Sequence, residues 1–462
     1  MAGPDERMED IAYEETTYMP GEREGGMLRS RAAAQGGGAG LGGSTQPEDE
    51  ISRRLNFLHS RGAYTLEGRQ TWRERERAMA LESRAAQSRR GLTRIQGAEY
   101  DGDSSPAFHG SSGDRDASDA IDTCAGFAKH QKHVDSSIQI KHWQLRDLVR
   151  CPFARDDVFV VKGFAVYRYD ISQQKVVDRH GFLFEPTCFG FGDSFVGVAG
   201  EVSEYAVQGV SSTPARFFSG RRTTMQPFQH YGALRTGGHV NNAIKITEDL
   251  DGRLSAWLCN NSGHLMVMSG VDEEGDLALS EKSSIFCPVS INHCAVSKRE
   301  RTLVHVGDSE EVFVSRATPT GYRMCCTFRE ATDAGMSCDW DSGGTAFAVA
   351  SQDGLVCVWD RRHRNAVARI PCRSAARCVK FSPQPLDLLA FTEHRNHLHL
   401  VDCRMWESRQ TIKAGNGGGD VDIAGFDWSP CGSTLYVGTE DAMDILQINC
   451  GSRTSFPYAK LA

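Results

Sequence analysis

An all-β fold, a seven-bladed WD40 β-propeller preceded by a long and mostly disordered N-terminal arm, is what this sequence predicts, and three observations predict it. From Trp143 onward, short apolar runs alternate with Gly, Asp, Asn and Ser, the texture of many short strands joined by tight turns. One strand-turn-strand-turn-strand pattern recurs seven times in that stretch. Its period is close to the roughly 40 to 45 residues of a WD-repeat blade.

The clearest copy runs from Ser337 to Asp360. A strand ends on Trp340, Gly343-Gly344 turn the chain, Thr345 to Ser351 form a second strand, Asp353-Gly354 turn it again, and Leu355 to Asp360 close on Trp359-Asp360. In the second turn the Asp353 carboxylate is placed to accept backbone N–H bonds. The order recurs at Cys378–Pro383 with Leu398–Asp402, and at Gly425–Gly432, including Trp428, with Ile445–Asn449. Weaker copies begin at Asn292, Asn242, Cys188 and Leu145. The residues closing the third strands are 170, 208, 269, 316, 360, 402 and 449, spaced by 38, 61, 47, 44, 42 and 47. The long interval implies an insertion near 209–240. A blade buries its apolar faces only against its neighbours, so the ring must close. Closure is expected between a strand entering near Lys141–Val149 and the last strands ending near Ile448, with the propeller spanning 141–462. Gly-His, the dipeptide that often opens such repeats, is well placed only at Gly238-His239, which predicts an incomplete hydrogen-bond network in the blades.

Residues 1–140 read as an arm. Residues 1–50 carry four Arg and eleven Asp or Glu and are Gly-rich, too poor in apolar surface to offset the entropy of ordering. Gly38 to Gly43 spell a formal G-x-G-x-x-G, but no strand precedes it, so it reads as linker. Residues 51–96 reverse the balance, with eleven Arg against four Glu, and Gly68–Arg90 has helix-forming composition with charges alternating from Arg73 to Arg77. Asp101–Asp119 returns to a Ser/Gly/Asp linker.

The net charge of -8 gives no whole-chain attraction to nucleic acid or anionic membrane, so any nucleic-acid contact is confined to 51–96. The fifteen cysteines are scattered, without a C-x-x-C pair; singly placed ones such as Cys259, Cys338 and Cys357 read as buried reduced thiols. The acidic Met1–Tyr18 lacks an apolar secretory core, and no stretch approaches the roughly 18 apolar residues of a membrane span, so cytoplasm or nucleus is the expected location.

Ala85–Gly91, Ile95-Gln96-Gly97, Gln144–Val149, Asn242-Ala243-Ile244, Val289–His293, Val306-Gly307-Asp308, Asp339–Asp360 and Ile423–Gly438 together resemble a family of plant and fungal WD-repeat proteins of largely uncharacterised function. Their C-terminal blades carry a domain of unknown function. The resemblance runs from about residue 85 to the end, apart from 98–140 and 205–237. It implies the propeller and no chemistry.

One motif carries a mechanism. Ala348–Arg362 resembles the box of WD-repeat substrate receptors of cullin-RING ubiquitin ligases, ending here in Trp359-Asp360-Arg361-Arg362. In such receptors the arginine at the position of Arg362 projects from the propeller to pair with the ligase adaptor, where a guanidinium makes charge-assisted bidentate bonds. Asp360, Arg361 and Arg362 are therefore the candidate docking residues, and Trp340, Asp353, Trp359, Asp360 and Trp428 the blade signature. Glu393, His394, His397 and His399 lack the spacing of a closed metal site and read as turn and strand-face residues, so no metal or cofactor is expected. A nucleophile elbow, a P-loop and a paired-carboxylate strand end are missing: Gly192-Asp193-Ser194 lacks the second Gly of the elbow, and Asp249 and Asp251 precede Gly252 in a turn. The expected function is a non-enzymatic scaffold or adaptor for other proteins. The second expectation is a chromatin- or RNA-associated factor working through the Arg-rich arm.

Overall fold

A computed structural model describes residues 126–142, 146–214, 221–225, 230–236, 238–248, 253–273, 276–297, 299, 301–319, 321–415 and 419–451. The acidic, Arg-rich and linker segments of 1–125 lie outside the described residues, as do Trp143, Gln144 and Leu145.

Apolar residues at alternate positions of short strands bury one face of a sheet, and stacked sheets bury both. The described chain does this seven times, as a seven-bladed β-propeller. Blade 1 holds strands Val149–Arg150, Asp157–Lys162, Ala165–Asp170 and Lys175–Gly181. The innermost strands of blades 2 to 7 are Pro186–Phe191, Asn241–Glu248, Ile291–Ser297, Gly335–Trp340, Ala376–Phe381 and Ile423–Trp428. All seven repeats expected from the sequence appear, and the third strands of blades 1, 5 and 6 end at Asp170, Asp360 and Asp402 as read from the pattern. In blade 2 the third strand, Glu204–Pro214, runs long and pairs with both His230–Ala233 and Arg221–Met225, so the 61-residue interval contains a hairpin grown from one strand.

The core is distributed between the blades. Phe347, Trp359 and Trp340 of blade 5 pack against Val304, Val306, Val312 and Val314 of blade 4. Similar clusters fill the other junctions: Leu435, Val437 and Leu446 of blade 7 meet Leu388, Ala390 and Leu400 of blade 6.

Closure corrects the expected boundary. Blade 7 supplies only three strands from its own repeat, and the fourth is Ala128–Asp135, antiparallel to Ala442–Ile448 with Asp135 opposite Ala442 and Ala128 opposite Ile448. The ring is therefore shut by residues ahead of 141, inside what reads as arm. Their polar alternation hides them in the sequence, since a strand that covers the rim needs few apolar side chains: only Ala128 and Val134 of the eight are buried. Gln410, on the outer strand of blade 6, clamps the strand's first residue by accepting the Ala128 N–H at 2.9 Å and donating to its carbonyl at 3.0 Å. The expected entry segment does meet the last blade, at the channel: Leu148 N–H donates to Ala424 O at 3.1 Å. There Gly425 has φ +147°, and a Cβ would lie 2.8 Å from the Leu148 nitrogen, so only glycine fits.

A chain beginning at residue 141 is expected to lose cooperative unfolding or to melt more than about 10 °C below the full chain, because blade 7 is left with an unpaired edge and an uncovered face. Thermal unfolding followed by circular dichroism checks this, and restoring 126–140 should restore the transition.

Candidate functional site

The innermost strands of blades 2 to 7 share one register. In each, the first residue pairs with the second strand, the next is bulged out, and pairing then resumes. The bulged residues of blades 2, 3 and 4 are polar and make the same cross-blade bond. Thr187 Oγ1 donates to Asn241 O at 2.7 Å, Asn242 Nδ2 to Ile291 O at 2.8 Å, and Asn292 Nδ2 to Gly335 O at 3.0 Å, each to the opening residue of the next blade's innermost strand. Each bond gives a buried carbonyl a donor from the neighbouring blade.

Three paired positions beyond the strand start, the same register places Gly190, Lys245, Ala295, Asp339, Lys380 and Asp427 at one level of the channel, with Arg150 of blade 1 beside them. This is a ring of charge inside a β-protein, and Asp147 pairs its cations. Its carboxylate takes the Arg150 guanidinium with both oxygens, and lies 2.9 Å from Lys380 Nζ, 3.7 Å from Lys245 Nζ and 3.6 Å from His293 Nε2. Burial opposes its ionisation, but the charges of Arg150 and Lys380 prevail and hold the carboxyl well below the usual range. Lys380 Nζ also reaches Asp427 Oδ1 at 3.0 Å and Phe426 O at 2.7 Å.

The two ring carboxylates have a second duty. Asp427 Oδ2 accepts Cys151 N–H at 2.8 Å and Asp339 Oδ2 accepts Phe381 N–H at 2.8 Å, each from the residue after the ring position of the next blade. Asp339 lacks a close cation, and burial raises it to about 6. The next residues along, Trp340 and Trp428, donate backward from Nε1 to the ring-level carbonyls of Ala295 at 3.1 Å and Lys380 at 3.5 Å. Trp340 and Trp428, two of the three tryptophans singled out in the sequence, are thus ties between blades.

Where the innermost strands end, the channel opens into a cavity of about 310 Å³ lined by Arg150, Lys245, His293, Asp339, Lys380 and Asp427, with Pro383 and Pro430 on its lip. Strands in a blade alternate in direction, so the turn after the first strand and the turn after the third lie on one face of the disc. The Arg361 N–H donating to Thr345 O at 3.0 Å joins two such turns. The cavity mouth and the Asp360–Arg364 turn therefore share a face.

In that turn Arg361, Arg362, His363 and Arg364 are all exposed. Arg362 is 68% exposed, yet its guanidinium bends back onto Asp360, with Nε 2.9 Å and 3.1 Å from the two oxygens. Asp360 also accepts the Arg362 N–H at 2.9 Å. The same arrangement recurs one blade on, where Asp402 accepts Arg404 N at 2.9 Å and Nε at 3.2 Å. Asp-x-Arg is first a way of closing this turn.

Asp353 accepts Leu355 N–H at 3.1 Å, Thr332 N–H at 2.7 Å and Thr332 Oγ1 at 3.0 Å, the turn role read from the sequence. Trp359 stacks on Phe347 with ring centroids 5.3 Å apart, while its buried Nε1 has no hydrogen-bond partner among the described residues, a gap in this blade's network. His239 is exposed and contributes its carbonyl, to Asn260 Nδ2 at 3.2 Å. Of the histidine group, His399 is buried, 2.9 Å from Glu393 Oε1 and stacked on Phe391; His397 Nδ1 lies 3.9 Å from Glu393 Oε2, while His394 faces Asp422 instead, at 3.9 Å. The channel charges escaped sequence reasoning. The available signal was a charged residue at one position of otherwise apolar first strands, as in Ile244-Lys245-Ile246, Cys338-Asp339-Trp340, Val379-Lys380-Phe381 and Phe426-Asp427-Trp428.

The chain defines itself as a β-propeller protein, and comparison with known proteins adds relatives without a function. An uncharacterised protein domain (DUF2415) matches residues 374–413, which are blade 6. The "Uncharacterized protein C4G3.03" of Schizosaccharomyces pombe (strain 972) is 25% identical over 340 residues, 69% of this chain and 91% of that protein. They bear out the C-terminal domain of unknown function and a fungal relative read from the sequence, and neither description names an activity.

Asp147→Asn leaves three cations facing a neutral amide and is expected to cost about 3 kcal/mol or more in urea unfolding. A second prediction concerns pH. Burial lowers His142 to about 3, and His293 and His305 to about 4, so between about pH 6.5 and 4 the unfolded chain binds protons that the native protein refuses. Stability should fall as pH drops through that window. Asp339, raised to about 6, works in the opposite sense between its unfolded value of 3.8 and 6, as do Glu204, Asp308 and Glu440, which burial also raises, while His394 and His399, lowered to about 3 and about 4, add to the three histidines. Urea midpoints from pH 7 to 4.5 read the slope, which His305→Gln should flatten.

Proposed function

We propose that this protein is a non-catalytic propeller platform that holds partner proteins on the face shared by the channel mouth and the Asp360–Arg364 turn. One observation carries the reading: that face combines a polar cavity of about 310 Å³ with an exposed basic turn, Arg361-Arg362-His363-Arg364, while the opposing charges deeper in the channel are already paired with one another. A cavity of this size takes one or two side chains of a partner segment, and a basic rim steers an acidic partner toward it.

The finer reading is docking to the adaptor of a cullin-RING ubiquitin ligase. It is supported by Trp359-Asp360-Arg361-Arg362 closing a third strand and by the exposure of Arg362, against 19% for its counterpart Arg404. An adaptor would have to draw the Arg362 fork off Asp360, exchanging an exposed local pair for an intermolecular one.

Affinity purification of the full chain beside Arg362→Ala and beside Arg361→Glu/Arg364→Glu tests both levels. Partners lost in the double variant, with an unchanged unfolding midpoint, are the expected result. A ligase adaptor lost with Arg362→Ala supports the finer reading. Partners equally retained in both variants would sink the assignment of this face.

A further inference from the structure

The closing strand carries a cluster that neither the propeller nor the docking face uses. Strand side chains alternate, so His130 and His133, three residues apart, would point to opposite faces of a regular strand. The ladder with blade 7 slips by one between His130 and Lys132, and this bulge turns both imidazoles to one face. On the partner strand His133 stands opposite Asp444, and His130 opposite Leu446, two residues on and hence on the same face. The imidazole centroids are 4.3 Å apart, His130 Nε2 lies 3.6 Å from Asp444 Oδ1, and His133 Nδ1 touches the same oxygen.

Asp444 supplies the second observation. It is 2% exposed, and its Oδ2 accepts the Gly415 N–H at 2.7 Å, which orients the carboxylate. Its buried Oδ1 is aimed at the two histidines, against His133 Nδ1, and has no other hydrogen-bond partner among the described residues. His133 Nδ1 is buried too, and faces only that oxygen among the described residues. Two imidazoles and a carboxylate converge, each offering one ligand atom, with all three atoms within 4.8 Å of one another. In a tetrahedral shell with bonds of about 2.0–2.1 Å, neighbouring ligand atoms stand about 3.3 Å apart, so small side-chain rotations suffice. Two imidazoles and a carboxylate favour a borderline divalent ion over calcium or magnesium, which prefer all-oxygen shells.

We infer that His130, His133 and Asp444 form a site for a divalent transition ion, zinc in the first instance, which pins the closing strand to blade 7. Two ligands lie on Ala128–Asp135 and one on Ala442–Ile448, so the ion binds only the closed ring and opposes its opening. Coordination releases no more than the protons carried by the imidazoles, and water completes the shell on the exposed His130 side.

The full chain, stripped with a chelator and dialysed, is titrated with zinc against a chromophoric competitor, and with cobalt for its d–d absorption. One equivalent bound with a Kd of about 1 µM or tighter is expected. His130→Gln and Asp444→Asn should each weaken it at least about tenfold. His130→Gln alters an exposed residue, and its unfolding midpoint in chelator should equal that of the wild type. At a hundredfold excess of zinc over Kd, amide exchange limited by opening of 128–135 should slow about a hundredfold in the wild type and little in His130→Gln. Absence of stoichiometric zinc, binding unchanged in both variants, or exchange in 128–135 indifferent to zinc would each overturn the inference.

Discussion

Everything in this structure rests on one ladder, Ala128–Asp135 against Ala442–Ile448. Each blade has two apolar faces and covers them only with its neighbours, so an open ring leaves faces wet at both ends. The ladder joins residues more than three hundred positions apart, which makes it entropically expensive to form and places it late among the contacts that folding can collect. It is secured from the side by Gln410 and from the channel by the Leu148–Ala424 bond, three independent grips on one seam. The histidine-carboxylate cluster adds a fourth at the same seam, where an added bond has the most leverage over opening.

The channel shows why charge is tolerated at the centre of an all-β protein. Seven innermost strands converge there and cannot all fill the axis with apolar side chains without crowding. Opposite charges on blades 3, 5, 6 and 7, with Asp147 and Arg150 of blade 1, occupy the space and satisfy one another. Their worth lies less in net energy than in register. Asp339 and Asp427 grip a backbone N–H of the following blade, so a slip by one residue would leave both carboxylates and cations buried without partners. The polar bulge residues Thr187, Asn242 and Asn292 do the same on the other arc of the ring. The two arcs thus use different chemistry for one task.

A ring held this firmly leaves its turns free to vary. The face on which first and third strands end carries both the channel mouth and the basic Arg361–Arg364 turn, and the rigid blades fix their separation. Rigid presentation of a charged rim beside a polar hollow suits a protein that holds other proteins. The fission yeast relative matches over 91% of its own length, and its name gives no partner.

Blade number, the third-strand ends at Asp170, Asp360 and Asp402, the role of Asp353 and the interval swollen by an insertion were legible in the sequence, because each depends on periodicity or turn chemistry within about ten residues. The closing strand was not: Ala128–Asp135 is too polar to announce itself, and its partner is the far end of the chain. Nor was the Asp147 network, whose members come from five blades, or the meeting of His130 with His133, which requires a bulge that only pairing with blade 7 creates. Arg362 lay in plain view, yet its bend onto Asp360 is a matter of turn geometry in three dimensions. Sequence alone therefore determined the repeating unit, since local patterns set strands and turns. Tertiary structure decided how the ring shuts, which charges meet and what the channel mouth presents, since those depend on pairings between residues that adjacency in the chain does not specify.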